Sequence, residues 1–136
     1  MNIPVSIDIP NLDKLSVGRV GENLVAFYLE SVGFECSIVD RRGSDVWCKS
    51  PSGKLFSIEI KSTLKQDSMN GIKAYCIQKK EADQFILTCL ETNLMRVFSR
   101  EKLMEKSKSK MVYLKDEEFT VDLMRDDIER LQSYYS

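Results

Sequence analysis

Residues 56–62 read Phe-Ser-Ile-Glu-Ile-Lys-Ser and combine a strand pattern with two opposite charges. Successive side chains of a β-strand point to opposite faces of the sheet. Three apolar side chains therefore share one face, namely Phe56, Ile58 and Ile60. Glu59 and Lys61 share the other face, about 7 Å apart at a rise of ~3.3 Å per residue. We expect an acid and a base side by side on a strand whose opposite face lies in the core.

Turn residues divide the rest of the chain into short elements. The turns at 41–44 and 51–53 separate three strand candidates, which is typical of a meander of hairpins. A helical pattern begins at a capping residue, Ser16, and ends before Gly33. The predicted elements are a helix at 16–31, strands at 34–39, 45–49 and 55–62, a polar loop at 65–71, a short strand at 73–78, a helical turn at 79–84, strands at 85–90 and 94–99, a helix at 100–106, a strand at 111–114 and an amphipathic helix from 121 onward. The order α-β-β-β-(α)-β-β-α predicts an α/β or α+β fold with a central mixed sheet flanked by helices.

Composition narrows the class of protein. A chain of 136 residues, 43% of them hydrophobic and 30% charged, fits a single domain at 1–136, with a core at about 16–99 and a C-terminal extension at 107–136. The sequence contains no histidine, which excludes Ser-His-Asp catalysis, a histidine general base and histidine-ligated zinc. Any catalyst must use carboxylates, lysine, hydroxyl groups or a cation with oxygen ligands. No apolar run reaches the ~18 residues of a membrane span, and the N-terminus lacks a signal-peptide pattern, so we expect a cytoplasmic protein.

Charge is distributed unevenly along the chain. Residues 1–115 carry 18 Lys and Arg against 14 Asp and Glu, a net charge of +4, whereas residues 116–136 carry 2 against 7, a net charge of −5. A mildly basic body is compatible with a polyanionic partner. The four cysteines lie in apolar stretches without Cys-x-x-Cys pairs, and we expect buried free thiols rather than a disulfide framework or a zinc site.

Two further carboxylates complete a candidate metal site. Asp45 opens the strand before the Glu59 strand, and the two residues would meet if these strands pair. Neighbouring carboxylates repel each other unless a cation lies between them, and Mg²⁺ suits such a pair. Glu22 follows Gly18 and Gly21 in the first helix, where each glycine costs about 1 kcal/mol relative to alanine. We expect these glycines to let the helix lie against the sheet with Glu22 directed at the metal.

These motifs together resemble the PD-(D/E)XK nuclease superfamily. The resemblance covers residues 16 to about 99 and is strongest to archaeal-type Holliday junction resolvases and to related small endonucleases of phages and introns. It is carried by Gly21-Glu22, Gly33-Phe34, Gly43-Ser44-Asp45 and Ile58-Glu59-Ile60-Lys61. Ser44 stands where the proline of the superfamily motif usually stands.

The resemblance implies a restriction-endonuclease-like core and the roles of individual residues. Asp45, Glu59 and the backbone carbonyl of Ile60 would bind Mg²⁺, for which Mn²⁺ can substitute. Glu22 would bind the metal directly or through water. Lys61 would orient the hydrolytic water or stabilise the charged transition state. Gln78 would be an auxiliary polar residue. The implied activity is hydrolysis of DNA phosphodiester bonds, and cleavage of a two-fold junction would require a homodimer.

Several residues are candidates for contact with DNA. Arg41 and Arg42 could bind phosphate or be solvated turn residues, and the pattern favours neither. Lys65 and Lys73 flank a loop after the Glu59 strand that could hold substrate. Trp47 could stack on a base, but we expect it to pack under the first helix.

Two alternatives remain beside a DNA endonuclease. A non-catalytic DNA-binding or assembly module could retain the same fold. A ribonuclease is less well supported, because the chain shows no aromatic platform of the kind that reads RNA. From the family resemblance we expect a protein of the cytoplasm of a prokaryotic, archaeal or phage-infected cell.

Overall fold

The computed structural model describes residues 3–4, 13–38, 46–64, 68–77 and 81–136, which form two sheets and three α-helices. The helices are α1 (Lys14–Ser31), α2 (Arg100–Lys106) and α3 (Val121–Tyr134). The strands are β1 (Glu35–Ile38), β2 (Val46–Lys49), β3 (Leu55–Thr63), β4 (Ser68–Met69), β5 (Ile72–Cys76), β6 (Gln84–Cys89), β7 (Leu94–Ser99) and β8 (Met111–Lys115). Within these ranges, no helix combines the length and the hydropathy that crossing a membrane requires.

The main sheet is mixed and has the strand order β1-β2-β3-β6-β7. The first three strands form an antiparallel meander, β3 runs parallel to β6, and β7 returns antiparallel beside β6. A second, smaller sheet has the order β4-β5-β8. The predicted fold class, a central mixed sheet flanked by helices, is confirmed.

Strand β3 lies at the centre of the main sheet and makes contacts on both of its faces. Its predicted core residues Phe56, Ile58 and Ile60 are all buried. On the same face, Ser62 contacts α1. On the opposite face, the Thr63 hydroxyl lies 3.0 Å from the hydroxyl of Tyr75 in β5. The alternation read from residues 56–62 therefore corresponds to two packed layers, with α1 on one side and the smaller sheet on the other.

The N-cap of helix α1 lies three residues earlier than predicted. It is Asp13, whose carboxylate accepts a hydrogen bond of 2.8 Å from the backbone N–H of Ser16. Ser16 is thus the capped residue and not the cap, because an aspartate three residues earlier satisfies its otherwise unpaired N–H group. After Ser31 the chain turns through Gly33 at φ +98°, a conformation that glycine adopts without steric cost.

Gly21 allows α1 to lie directly on the main sheet. A Cβ atom at this position would lie 1.7 Å from Ser62 Oγ and 2.9 Å from Ser62 Cβ. The Ser62 hydroxyl is itself fixed, because it accepts a hydrogen bond of 2.6 Å from Thr88 in β6. At Gly18, one turn earlier, a Cβ atom would meet no neighbour within 4 Å among the described residues. The predicted close approach of the helix is therefore made at Gly21 and not at Gly18.

The connection between β3 and β6 differs from the predicted order. Within the described residues it contains the hairpin β4–β5 and no helix, and residues 81–83 of the predicted helical turn are irregular. The hairpin turns at Asn70 (φ +55°) and Gly71 (φ +74°). Asn-Gly with two positive φ angles is the preferred two-residue hairpin turn, and this signal was present in the stretch that was predicted to be a polar loop.

Lys73 is buried, which contradicts its predicted role in DNA binding. Its side chain in β5 is fully inaccessible, and its ammonium group lies 3.1 Å from Asp116 and 3.3 Å from Glu91. Burial alone would lower the pKa of Lys73, but the hydrogen bonds from its ammonium group to the two carboxylates raise it. A hydrogen bond from Ser68 and the nearby ammonium group lower the pKa of Asp116. Lys73 therefore joins the two sheets as a structural cation.

The cysteines are free thiols, as predicted, but they are not all buried. Cys48 and Cys89 are buried, Cys36 is partly exposed and Cys76 is exposed. Burial alternates along β5, so the residue that follows Tyr75 points to solvent. Hydrophobic surroundings in the sequence did not reveal which face of the short strand Cys76 would occupy.

We expect opposite effects from alanine at the two helical glycines. Gly21→Ala should lower the free energy of unfolding by about 1–3 kcal/mol, because the new methyl group overlaps Ser62. Gly18→Ala should raise it by up to about 1 kcal/mol, because alanine is the better helix former and space is available. Urea denaturation followed by circular dichroism measures both values. Equal effects at the two positions would contradict the close packing of α1 on β3.

Removal of the Lys73 ammonium group should also destabilise the protein. We expect Lys73→Met to lower the free energy of unfolding by about 1–3 kcal/mol, less than the ~3–5 kcal/mol for a wholly buried pair, because both carboxylates remain partly hydrated. Lys110→Met, at an exposed lysine in the turn before β8, is the control and should change stability by less than ~0.5 kcal/mol. If Lys73→Met left the free energy of unfolding unchanged, the ion pairs of Lys73 would not hold the two sheets together.

Candidate active site

Glu59 and Lys61 lie on one face of β3, as the alternation predicted. The Lys61 ammonium nitrogen is 4.0 Å from Glu59 Oε1. The Glu59 side chain is 4% exposed, whereas the Lys61 side chain is 34% exposed. The pair therefore runs from the interior of the sheet toward solvent, with the acid inside and the base at the opening.

The surroundings of Glu59 make an ionised carboxylate costly. Its Cα partner in β6 is Phe85, which is completely buried. Transfer of a carboxylate from water into such surroundings is unfavourable unless cations compensate its charge. Lys61 supplies one positive charge at 4.0 Å. The Lys61 ammonium group therefore compensates part of the charge of the buried carboxylate.

Glu22 lies in α1, which contacts β3 through Ser62 on the face opposite Glu59 and Lys61. Glu22 is partly buried and follows Gly21, the residue in contact with Ser62. Ser62 is the next residue after Lys61 in β3. Ile60 lies between Glu59 and Lys61 with its side chain in the core, so its backbone carbonyl is the group that could serve as a ligand.

Several predicted site residues lie outside the described residues. These are Arg41, Arg42, Asp45, Lys65 and Gln78. Asp45 immediately precedes Val46, whose Cα partner in β3 is Ile58, the neighbour of Glu59. Within the described ranges, no three His, Cys, Asp or Glu side chains lie together closely enough to hold a metal ion.

Trp47 is exposed on the same face as Glu59, which corrects the prediction that it packs under α1. It is 45% exposed and pairs across the strands with Ser57. Cross-strand partners share a face, and so do Ser57 and Glu59 by alternation. Helix α1 contacts Ser62 on the other face, so it cannot cover Trp47. This leaves an indole ring on the open part of the sheet, about 7 Å along β3 from the level of Glu59.

Asp83, which is not among the predicted site residues, also belongs to this side of β3. Its carboxylate accepts hydrogen bonds from the backbone N–H of Ser57 at 2.9 Å and from the Ser57 hydroxyl at 3.3 Å. The Arg100 guanidinium lies 3.7 Å away. These contacts fix the start of β6 beside β3 and give Asp83 a structural role. Its position directly before a predicted buried strand was the feature of the sequence that could have indicated this role.

A cavity lies at the β7 edge of the main sheet. It has a volume of about 460 Å³ between β7, α2 and α3, and neither Glu59 nor Lys61 lines it. Its buried acid, Asp127, is paired with Arg96 at 2.8 Å and with Arg130 at 2.6 Å. Because Asp127 is already paired with two guanidinium groups, this cavity is less suited to binding a further cation than the site at Glu59.

Comparisons with known proteins concern the fold. No protein-family model and no curated protein sequence matches the chain. Among solved structures, a bacterial homing endonuclease is similar, with a TM-score of 0.58 and 13% sequence identity over 76% of this chain and 78% of that chain. At this level of identity, the similarity establishes that the two chains share a fold.

Proposed function

We propose that this protein is a metal-dependent DNA endonuclease of the PD-(D/E)XK type. The observation that carries the proposal is the Glu59–Lys61 pair, 4.0 Å apart on one face of the central strand. The fold in which this pair lies is also that of a bacterial homing endonuclease. A fold alone does not determine function, so the proposal depends on the chemistry of the residues at the site.

The proposed ligands are oxygen donors. They are the carboxylates of Asp45 and Glu59, the carbonyl of Ile60, and Glu22 directly or through water. Such a set suits Mg²⁺ or Mn²⁺, which prefer carboxylate, carbonyl and water oxygen. Support comes from the β2–β3 register, which pairs the residue after Asp45 with the residue before Glu59. The burial of Glu59 adds to it, because a buried carboxylate favours a compensating cation.

The residues of the site have separate roles in hydrolysis. A divalent cation at the site supplies charge neutralisation for the phosphate and lowers the pKa of a water molecule. Glu59 and Asp45 hold that cation. Lys61, at the solvent side of Glu59, orients the attacking water and stabilises the negative charge that develops on the phosphate oxygens. The water oxygen forms a bond to phosphorus as the bond from phosphorus to the leaving oxygen breaks.

The DNA would lie across the open face of the sheet beside Trp47 and Lys61. Arg41, Arg42 and Lys65 are the proposed phosphate contacts, and Gln78 is an auxiliary polar residue. A branched junction of the Holliday type is the proposed substrate class. Because such a junction needs two symmetric cuts, we propose that the protein acts as a homodimer. We also propose that it acts in the cytoplasm.

Cleavage assays with active-site variants test the proposal directly. Purified protein is incubated with Mg²⁺ or Mn²⁺ and four DNAs: a four-way junction, a linear duplex, a nicked duplex and a single strand. We expect cleavage that requires the metal, and a cleavage rate at least ~100-fold lower in Glu59→Gln than in the parent protein. Loss of a residue that only hydrogen-bonds to a metal ligand typically lowers activity about 10–100-fold, so a larger loss indicates a direct ligand. Lys61→Met should lower turnover by about 10²–10⁴-fold while leaving Mn²⁺ affinity, measured by calorimetry, within a few-fold.

The control is Glu129→Gln, at an exposed carboxylate of α3, which should cleave like the parent protein. Full activity in Glu59→Gln would refute the assignment. Binding of DNA without cleavage of any of the four substrates would favour the non-catalytic DNA-binding module instead.

The fluorescence of Trp47 should report DNA binding. It is the only tryptophan of the chain and is half exposed on the proposed DNA-binding face. We expect titration with the preferred DNA to quench or shift its emission, and added salt to reverse the change as phosphate contacts are lost. If an electrophoretic shift shows binding while the emission stays constant, the DNA occupies another surface.

A further inference from the structure

Two thiols face each other across strands β1 and β2. Cys36 and Cys48 are direct Cα partners in the antiparallel register. Residues paired in this way have Cα atoms about 4.5–5.5 Å apart, within the ~4.4–6.8 Å range that a disulfide allows. Their Sγ atoms are 3.4 Å apart. A disulfide length of about 2.05 Å requires only a small rotation of the two side chains and no movement of the strands.

The two thiols differ in exposure and in acidity. Cys36 is partly exposed, whereas Cys48 is 1% exposed. The hydrogen bond with Cys48 lowers the pKa of the Cys36 thiol. The same hydrogen bond, together with burial, raises the pKa of the Cys48 thiol. Because the thiolate is the reactive form of cysteine, Cys36 is the thiol that an oxidant reaches first and Cys48 is the thiol that resolves the product.

We propose that Cys36 and Cys48 are a reversible oxidation site, which a peroxide converts into a disulfide between β1 and β2. The Cys36 thiolate attacks one peroxide oxygen, the O–O bond breaks, and Cys36 becomes a sulfenic acid. The Cys48 sulfur then attacks the Cys36 sulfur, loses its proton and displaces hydroxide. Two thiols and one hydrogen peroxide give one disulfide and two water molecules, and a dithiol reductant restores the thiols.

The cross-link would stabilise the edge of the main sheet. Strand β1 is four residues long and forms one edge of that sheet. The bond would join positions 12 residues apart and would restrict the unfolded chain. This inference concerns β1 and β2 alone and does not depend on the proposed nuclease activity.

Peptide mapping identifies the bond without any change to the chain. The native protein is treated with hydrogen peroxide, its remaining thiols are alkylated, and it is digested with trypsin. Cleavage after Arg41 and Arg42 separates the two cysteines, so only a disulfide can keep their peptides together. We expect a linked Cys36–Cys48 peptide pair, lighter by two hydrogen atoms than the sum of its parts. It should disappear on reduction, and the melting temperature of the oxidised protein should rise by about 5–10 °C.

Variants in which one cysteine is replaced by serine supply the controls. Cys76→Ser, at an exposed thiol of β5, should leave the linked pair and the thermal shift unchanged. Cys36→Ser should abolish both while leaving the melting temperature of the reduced protein within a few degrees. The proposal is overturned if peroxide leaves both Cys36 and Cys48 alkylatable in the folded protein. It is equally overturned if the linked pair forms only in denaturant.

Discussion

The contact between Gly21 and Ser62 is the constraint on which the rest of the structure depends. It brings the backbone of α1 onto β3, while the hydrogen bond from Thr88 to Ser62 ties the same point to β6. One small residue on the helix thus fixes the helix against both strands of the parallel pair. It also places α1 on the face of β3 opposite Glu59 and Lys61. Without this approach, the helix would be displaced from the strand by at least the size of a methyl group.

The central strand combines core packing with a buried charge. Three of its side chains, Phe56, Ile58 and Ile60, are buried on the face that α1 contacts, and on the other face Glu59 is almost completely buried beside Lys61. An apolar residue at position 59 would give a more stable sheet, because it would avoid the desolvation of a carboxylate. Local departures from the rules of stable packing are expected at functional sites. The burial of Glu59 is therefore more informative about function than the exposed charges elsewhere on the chain.

The sequence contained most of the elements but little of their mutual arrangement. Periodicity predicted the α1, β3, β7, α2 and α3 segments closely, because alternation and helical spacing are local properties. It did not predict that Lys73 would be buried, because a lysine between two sheets depends on carboxylates 18 and 43 residues away that only the fold brings near. The exposure of Trp47 likewise depends on which face α1 covers. Of the candidate site, the Glu59–Lys61 pair follows from the alternation of a single strand, whereas the face on which α1, with Glu22, packs depends on the docking of the helix.

The far edge of the main sheet shows how the protein limits strand addition. In β7, the N–H of Val97 donates to Asp127 at 2.9 Å, and its carbonyl accepts from Arg130 at 3.2 Å. Both partners come from α3, so groups that could recruit a strand of another chain are occupied. Asp127 follows Val97 by 30 residues. At ribosomal elongation rates of about 5–20 residues per second, β7 is made roughly 2–6 s before its cover. During that interval the nascent chain presents an open strand edge, and crowded polysomes would be the place where it is most exposed to co-translational aggregation.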